Sequence, residues 1–175
     1  MAFNKNSLKI DGFVNLGDHT PDELKDQPGD HALVFMFKPW KGQWFQTVGA
    51  FLSKGAVKGP TLAKLALEAT GLLENSGFKV DMWVCDGAPW NRAMWAELGL
   101  SNPFTKTFKG KKKRKNQEDE NVEASTSFEH PMDRNRRIFM CSDFPHLMKS
   151  LKSRILPNEK GKVTDVSMLH YYFIS

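Results

Sequence analysis

Cysteine is nearly absent: Cys85 and Cys141 are the two in 175 residues. Each closes an apolar run just before an aspartate. That is no disulfide framework, and two cysteines without a close histidine partner make a poor zinc site. Both read as buried free thiols of a reducing compartment. No run approaches the roughly 20 consecutive apolar residues of a membrane span, so no membrane partner is expected. Met1 to Asp18 is mostly polar and has no apolar h-region, so no secretory signal is visible. The chain also lacks a glycine-rich phosphate loop and a Walker-type lysine motif, which ranks a nucleotide-binding α/β enzyme last among the candidates. Acidic residues are in deficit: 20 Asp and Glu against 25 Lys and Arg leave a net charge of +5, much of it in one run. Such a balance allows nucleic acid as a partner without establishing it.

What is present fits one soluble domain with a sizeable core, at 40% apolar and 26% charged residues. Ile10 to Gly17 is a short strand candidate, followed by a polar loop from Asp18 to Asp30. His31 to Lys38 reads as a second strand, apolar on both faces, and Gln43 to Leu52 as a third. Pro60 then opens a helix whose Leu62, Leu65, Ala66, Ala69, Leu72 and Leu73 share one face, with Gly77 as its C′ residue. Lys79 to Gly87 reads as a strand covered on both faces. A helix from Asn91 to Leu98 would turn Met94, Trp95 and Leu98 inward. Arg137 to Cys141 is a fifth strand. A last helix, Phe144 to about Leu156, carries Leu147, Met148, Leu151 and Ile155 as its apolar set. The five tryptophans read mostly as core, with Trp90, in the turn beside Asp86, the one suspected of touching a base.

The resulting order is β-β-β-α-β-α-β-α. It predicts an α/β fold with an RNase H-like mixed sheet, antiparallel strands followed by parallel strands, with flanking helices and incomplete. A doubly wound sheet would need a helix after nearly every strand. Asp86 ends the fourth strand, where open α/β sheets collect ligands. The same carboxylate could instead cap the following helix, and spacing does not choose. In such a fold, two-metal phosphoryl transfer needs two or three converging carboxylates, because Mg²⁺ takes hard oxygen ligands. Asp11 and Asn15 on the first strand are unconvincing partners. Asp143 approaches Asp86 if their strands are neighbours, though helix capping is its plainer role. His146 is a weaker ligand candidate, more simply a helix-end histidine.

Several blocks carry a resemblance. They are Gly12-Phe13-Val14-Asn15-Leu16-Gly17, Ala32-Leu33-Val34-Phe35-Met36, and Val84-Cys85-Asp86-Gly87-Ala88 with Asn91 and Met94-Trp95. Phe128-Glu129-His130-Pro131 and Ile138-Phe139-Met140-Cys141-Ser142-Asp143-Phe144-Pro145-His146-Leu147-Met148-Lys149 complete them. In order and spacing, over roughly residues 10–156, they are similar to blocks of P element-type transposases, a family that includes the THAP-domain transposases. The resemblance implies an RNase H-like domain that cuts and joins transposon DNA with Mg²⁺ in the nucleus, and it implies that Asp86 is the second catalytic, metal-binding carboxylate.

It also implies what is missing. The family's first catalytic Asp lies in an Asp-Glu-Met-like strand just before the Gly-Phe-Val block. Its catalytic Glu lies beyond an insertion that binds GTP, so GTP is not expected here. Residues 1–156 are then a partial RNase H-like domain, with a disordered basic and acidic insertion at about 105–127. Residues 157–175 begin the family's insertion domain. With one of three carboxylates, the chain alone is expected not to cleave DNA. Lys111, Lys112, Lys113, Arg114 and Lys115 read either as a solvated loop or as a nuclear-import or DNA-backbone patch. A homo-oligomer is allowed. The alternative function is a domesticated, non-enzymatic DNA- or protein-binding module.

Overall fold

The computed structural model describes residues 2–4, 9–100, 125–155 and 169–174. Strands β1 (Ala2–Asn4) and β2 (Lys9–Asp11) pair antiparallel as a separate small sheet. The main sheet has six strands: β3 (His31–Phe37), β4 (Gln46–Ser53), β5 (Met82–Cys85), β6 (Ser127–His130), β7 (Asp133–Ser142) and β8 (Leu169–Ile174), in the order β4-β3-β8-β5-β7-β6. It is mixed. β3 and β4 are antiparallel, as are β6 and β7, while β5 and β7 run parallel. The expected mixed α/β architecture is therefore the one observed.

Helix α1 (Gly59–Asn75) begins with Pro60 in its first turn, where a missing N–H costs nothing. It ends in a Schellman motif: Gly77 N–H donates to the Glu74 carbonyl and Phe78 N–H to the Leu73 carbonyl, both at 3.0 Å. Gly77 has φ +87°, the left-handed conformation that this ending needs. Leu62, Leu65, Ala66 and Leu73 are buried on the sheet, as their spacing predicts, but Leu72 faces outward at 62% exposure. Helix α2 (Pro89–Glu97) packs beside α1. Gly59 makes this close approach possible, since a Cβ there would lie 2.5 Å from the Ala93 Cβ.

Trp83 is the centre of the core. It is 1% exposed, meets Phe35 edge-on at 5.1 Å, and donates its indole N–H to the Thr70 hydroxyl at 3.2 Å. Burying such a ring is worth roughly 1.5–3 kcal/mol, and the aromatic pair adds about 0.5–1.5 kcal/mol. The hydrogen bond to Thr70 fixes β5 against α1 and leaves the indole nitrogen satisfied.

The structure corrects several expectations. Both strands expected to be covered on two faces alternate instead. In β5, Trp83 and Cys85 are buried while Met82 and Val84 are half-buried. The cause is that α1 and α2 pack on the sheet face carrying Leu33, Phe35, Phe37, Trp83, Cys85, Ile138 and Met140. The same alternation turns Cys141 outward, so only Cys85 is a buried thiol. Beyond β2, Phe13, Asn15 and Leu16 form isolated bridges rather than a sheet strand, with Asn15 bridging to Leu52 at the end of β4. Trp40 and Trp44 are 67% and 48% exposed rather than core. On helix α3 (Phe144–Ile155), Leu147 and Met148 are exposed rather than packed. The hairpin partner β6 and the interior strand β8 are additions to the expected order. β8 runs parallel to β3 over six register pairs and antiparallel to β5 over two, so the strand latest in sequence lies inside the sheet.

Candidate functional site

Asp86 immediately follows β5, half-buried, before the turn Gly87-Ala88. Its Oδ1 accepts the Ala88 N–H at 2.9 Å and the side-chain amide of Asn91 at 2.6 Å. Asn91 also donates to the Asp86 carbonyl at 3.0 Å. The helix-capping reading is thereby resolved: the N-cap of α2 is Ala88, without a side-chain cap bond. Asp86 instead forms an Asx-type turn before the helix. Asn91 is 1% exposed, on the inward side of α2 with Met94. A buried amide must be hydrogen-bonded, and here it is bonded to Asp86.

Asp143 arrives at the same place. The last register pair of parallel β5 and β7 is Cys85 with Ser142. One residue further on, Asp143 N–H donates to the Cys85 carbonyl at 2.8 Å. The two aspartates thus leave adjacent parallel strands at one end of the sheet, where strands stand about 4.8 Å apart. The Asp143 carbonyl also accepts Leu147 N–H at 2.9 Å, the first-turn bond of α3. The condition for their approach, that the two strands be neighbours, is met.

The other candidates are not brought there. Asp11 lies in β2 of the small sheet. Asn15 accepts Gly17 N–H on its own Oδ1 at 3.0 Å. His146 is exposed on α3, and Trp90 is half-buried against the core. Lys111, Lys112, Lys113, Arg114 and Lys115 lie outside the described residues, as do the insertion through residue 124 and residues 156–168.

The donor set at the sheet end is hard oxygen, the kind Mg²⁺ uses, and Mg²⁺ sites commonly hold one or two carboxylates plus waters and phosphates. Among the described residues no three metal-ligating side chains converge. Asp86 and Asp143 would be the protein's share of the ligands of one such ion. Beside them, burial pushes the Cys85 thiol up to about 12, which keeps it protonated and out of the chemistry.

A second polar cluster holds the far end of β5. The Glu74 carboxylate accepts Val80 N–H at 2.7 Å, His130 Nε2 at 3.0 Å and the Arg136 guanidinium at 3.0 Å. Arg136 also bonds Asp81 at 2.9 Å. His130 Nδ1 accepts Met132 N–H at 3.2 Å, so Nε2 carries the proton toward Glu74. Burial opposes the charge on Glu74, yet the Val80 N–H and Arg136 outweigh it and hold its carboxyl below its ordinary value. This cluster ties α1, β5 and the β6–β7 hairpin together, and so sets where Asp86 emerges. Sequence reasoning misses both it and the role of Asn91. For Asn91 a signal exists: it shares the inward spacing of Met94, Trp95 and Leu98, an odd place for an amide.

A mixed sheet in which two adjacent parallel strands, β5 and β7, each deliver an aspartate to the same end is compatible with an RNase H-like domain. The family model described as "TNP-like, RNase H N-terminal domain" matches residues 1–99. The chain belongs to that family. A Drosophila melanogaster protein named Transposable element P transposase is 27% identical over 127 residues, covering 73% of this chain and 13% of that protein. The chain therefore spans about an eighth of the length of this relative. No solved structure matches. Together these findings make the chain an RNase H-like segment of the P element transposase type.

Proposed function

We propose that this chain forms part of a DNA transposase catalytic domain, in which Asp86 is one of the carboxylates that hold the catalytic magnesium. The observation that carries the reading is the position of Asp86: at the C-terminal end of an interior parallel strand, one residue past the pair that brings Asp143 alongside. Mg²⁺ at such an end would activate the attacking oxygen and stabilise the leaving oxygen of a phosphoryl displacement. The protein's own part is to aim the carboxylate. Asn91 and the Ala88 N–H grip Oδ1 and fix the rotamer before any ion arrives.

Two carboxylates at adjacent strand ends cannot hold two Mg²⁺ ions against water. Among the described residues no third carboxylate joins Asp86 and Asp143, so strand transfer by the chain alone is not expected. DNA is the substrate and the nucleus the site of action. Lys111, Lys112, Lys113, Arg114 and Lys115 serve import or phosphate contact. A Mg²⁺-dependent nicking and strand-transfer assay on the purified chain tests this. No cleavage is expected, and cleavage abolished by Asp86→Ala would refute the inactivity. Replacing the five basic residues with glutamine is expected to reduce nuclear import of a fluorescent fusion.

A second reading, a non-enzymatic nucleic-acid- or protein-binding module, is favoured by one feature: large aromatics exposed at the β3–β4 turn.

A further inference from the structure

The β3–β4 hairpin tip carries three exposed aromatic rings close together in sequence. Trp40 is 67% exposed, Phe45 63% and Trp44 48%, within six consecutive residues. Exposed apolar rings so concentrated are costly in water and mark a binding surface. Trp44 is held in place from below. Trp44 leans on Phe37 at 5.8 Å, and Phe37 meets Phe78 at 5.0 Å. Gly42 turns the hairpin at φ +118°, and a Cβ there would press on the Trp44 ring at 3.2 Å. A side chain at 42 would thus be strained and would displace the ring.

Lysines lie close to the rings in sequence. Lys38 and Lys41 flank Trp40, and Lys79 follows Phe78; all three are exposed. From His31 through Leu67 the chain has no Asp or Glu. Rings interleaved with lysines, on a stretch of chain that carries no acidic residue of its own, suit a polyanion that offers flat faces. A base stacks on each ring while lysines meet the phosphates. A duplex hides its base faces except at its ends, so the matching ligand is unpaired nucleotides.

This surface is separate from Asp86. β3 is parallel to β8, which is antiparallel to β5, so the end of β3 lies by the start of β5. Asp86 is at the other end, roughly 20 Å away along strands rising about 3.3 Å per residue.

We propose that the β3–β4 tip is a stacking site for single-stranded nucleic acid, with Trp40, Trp44 and Phe45 as the platform and Lys38 and Lys41 as the phosphate contacts. The proposal rests on the nucleic-acid side of the function above. The test is a titration of the purified chain with fluorescein-labelled oligo(dT) and with a duplex of equal length, in EDTA. Without divalent metal it is blind to Asp86, so its failure would leave the metal reading to its own experiment. Trp40→Ala/Phe45→Ala is expected to weaken oligo(dT) binding about tenfold or more, with duplex binding nearly unchanged. Trp40→Phe should retain most of the affinity. Lys38→Gln/Lys41→Gln should flatten the salt dependence. Both rings are largely exposed, so circular dichroism melting should show intact folding. Unchanged oligo(dT) affinity in the double alanine variant would overturn the proposal. So would equal losses for the two nucleic acids, or loss of self-association alone, which would make the tip a protein interface.

Discussion

Asn91 donates from one amide nitrogen to both the carboxylate and the backbone carbonyl of Asp86, at 2.6 and 3.0 Å. A helix side chain thereby grips a strand end, and the carboxylate is positioned by α2 rather than by its own strand alone. Asn91→Ala should destabilise the domain by about 1–3 kcal/mol, because it leaves bonded groups without their partner in a buried place. Asn91→Asp should be worse near neutral pH, since it sets a second negative charge against Asp86. Urea denaturation at two pH values measures both. An Asn91→Asp defect that does not shrink toward acidic pH would contradict the assignment.

Gly59 marks where α1 and α2 touch most closely. A Cβ would fall 2.5 Å from the Ala93 side chain and 2.8 Å from the backbone of Ala93 and Met94. Backbone cannot move aside as a flexible side chain can. Gly59→Ala should therefore destabilise by about 1–3 kcal/mol, although alanine favours helix. Equal or higher stability in urea would show that the helices are further apart than described.

The Glu74 cluster predicts a pH dependence with a definite sign. Its folded carboxyl lies below its ordinary value, so its stabilisation is complete above that value and is lost as pH falls through the folded one. Stability should decline below about pH 4.5. Asp30 adds to the slope, because the Gly55 N–H and His31 likewise lower its carboxyl. Glu74→Gln should cost about 1–3 kcal/mol at pH 7 and give a shallower decline between about pH 5 and pH 3. A melting series across that range checks the slope as well as the loss.

The two thiols should separate cleanly. Burial raises Cys85 to about 12, whereas Cys141 is exposed on β7. Iodoacetamide at mildly alkaline pH should label Cys141 in the native protein and Cys85 only after unfolding. Mass spectrometry of the labelled peptides would show the order; native labelling of Cys85 would place it outside the core.

Much of this fold is legible in the residues. The α1 stripe, Gly77 and the carboxylate at the end of β5 are set by local spacing, and local spacing survives folding. Pairing between distant segments does not show in spacing. Glu74, Asp81, His130 and Arg136 converge from three parts of the chain, with no periodic signal linking them. β8 is a short aromatic stretch whose place between β3 and β5 is a tertiary choice. Cys141, Trp40 and Trp44 depart from expectation because hydrophobicity is not burial. Alternation along β7 and a hairpin tip decide otherwise. Asp86 is visible as a residue, while the hand that holds it, Asn91, is masked as an ordinary helix position.

The most direct test of the account is Mn²⁺, as a paramagnetic stand-in for Mg²⁺, titrated into the isotopically labelled chain. The account predicts selective broadening of amide signals around Asp86, Gly87 and Asp143, at weak affinity, and its disappearance in Asp86→Asn. Broadening that persists in Asp86→Asn, or that never touches this end of the sheet, would contradict it.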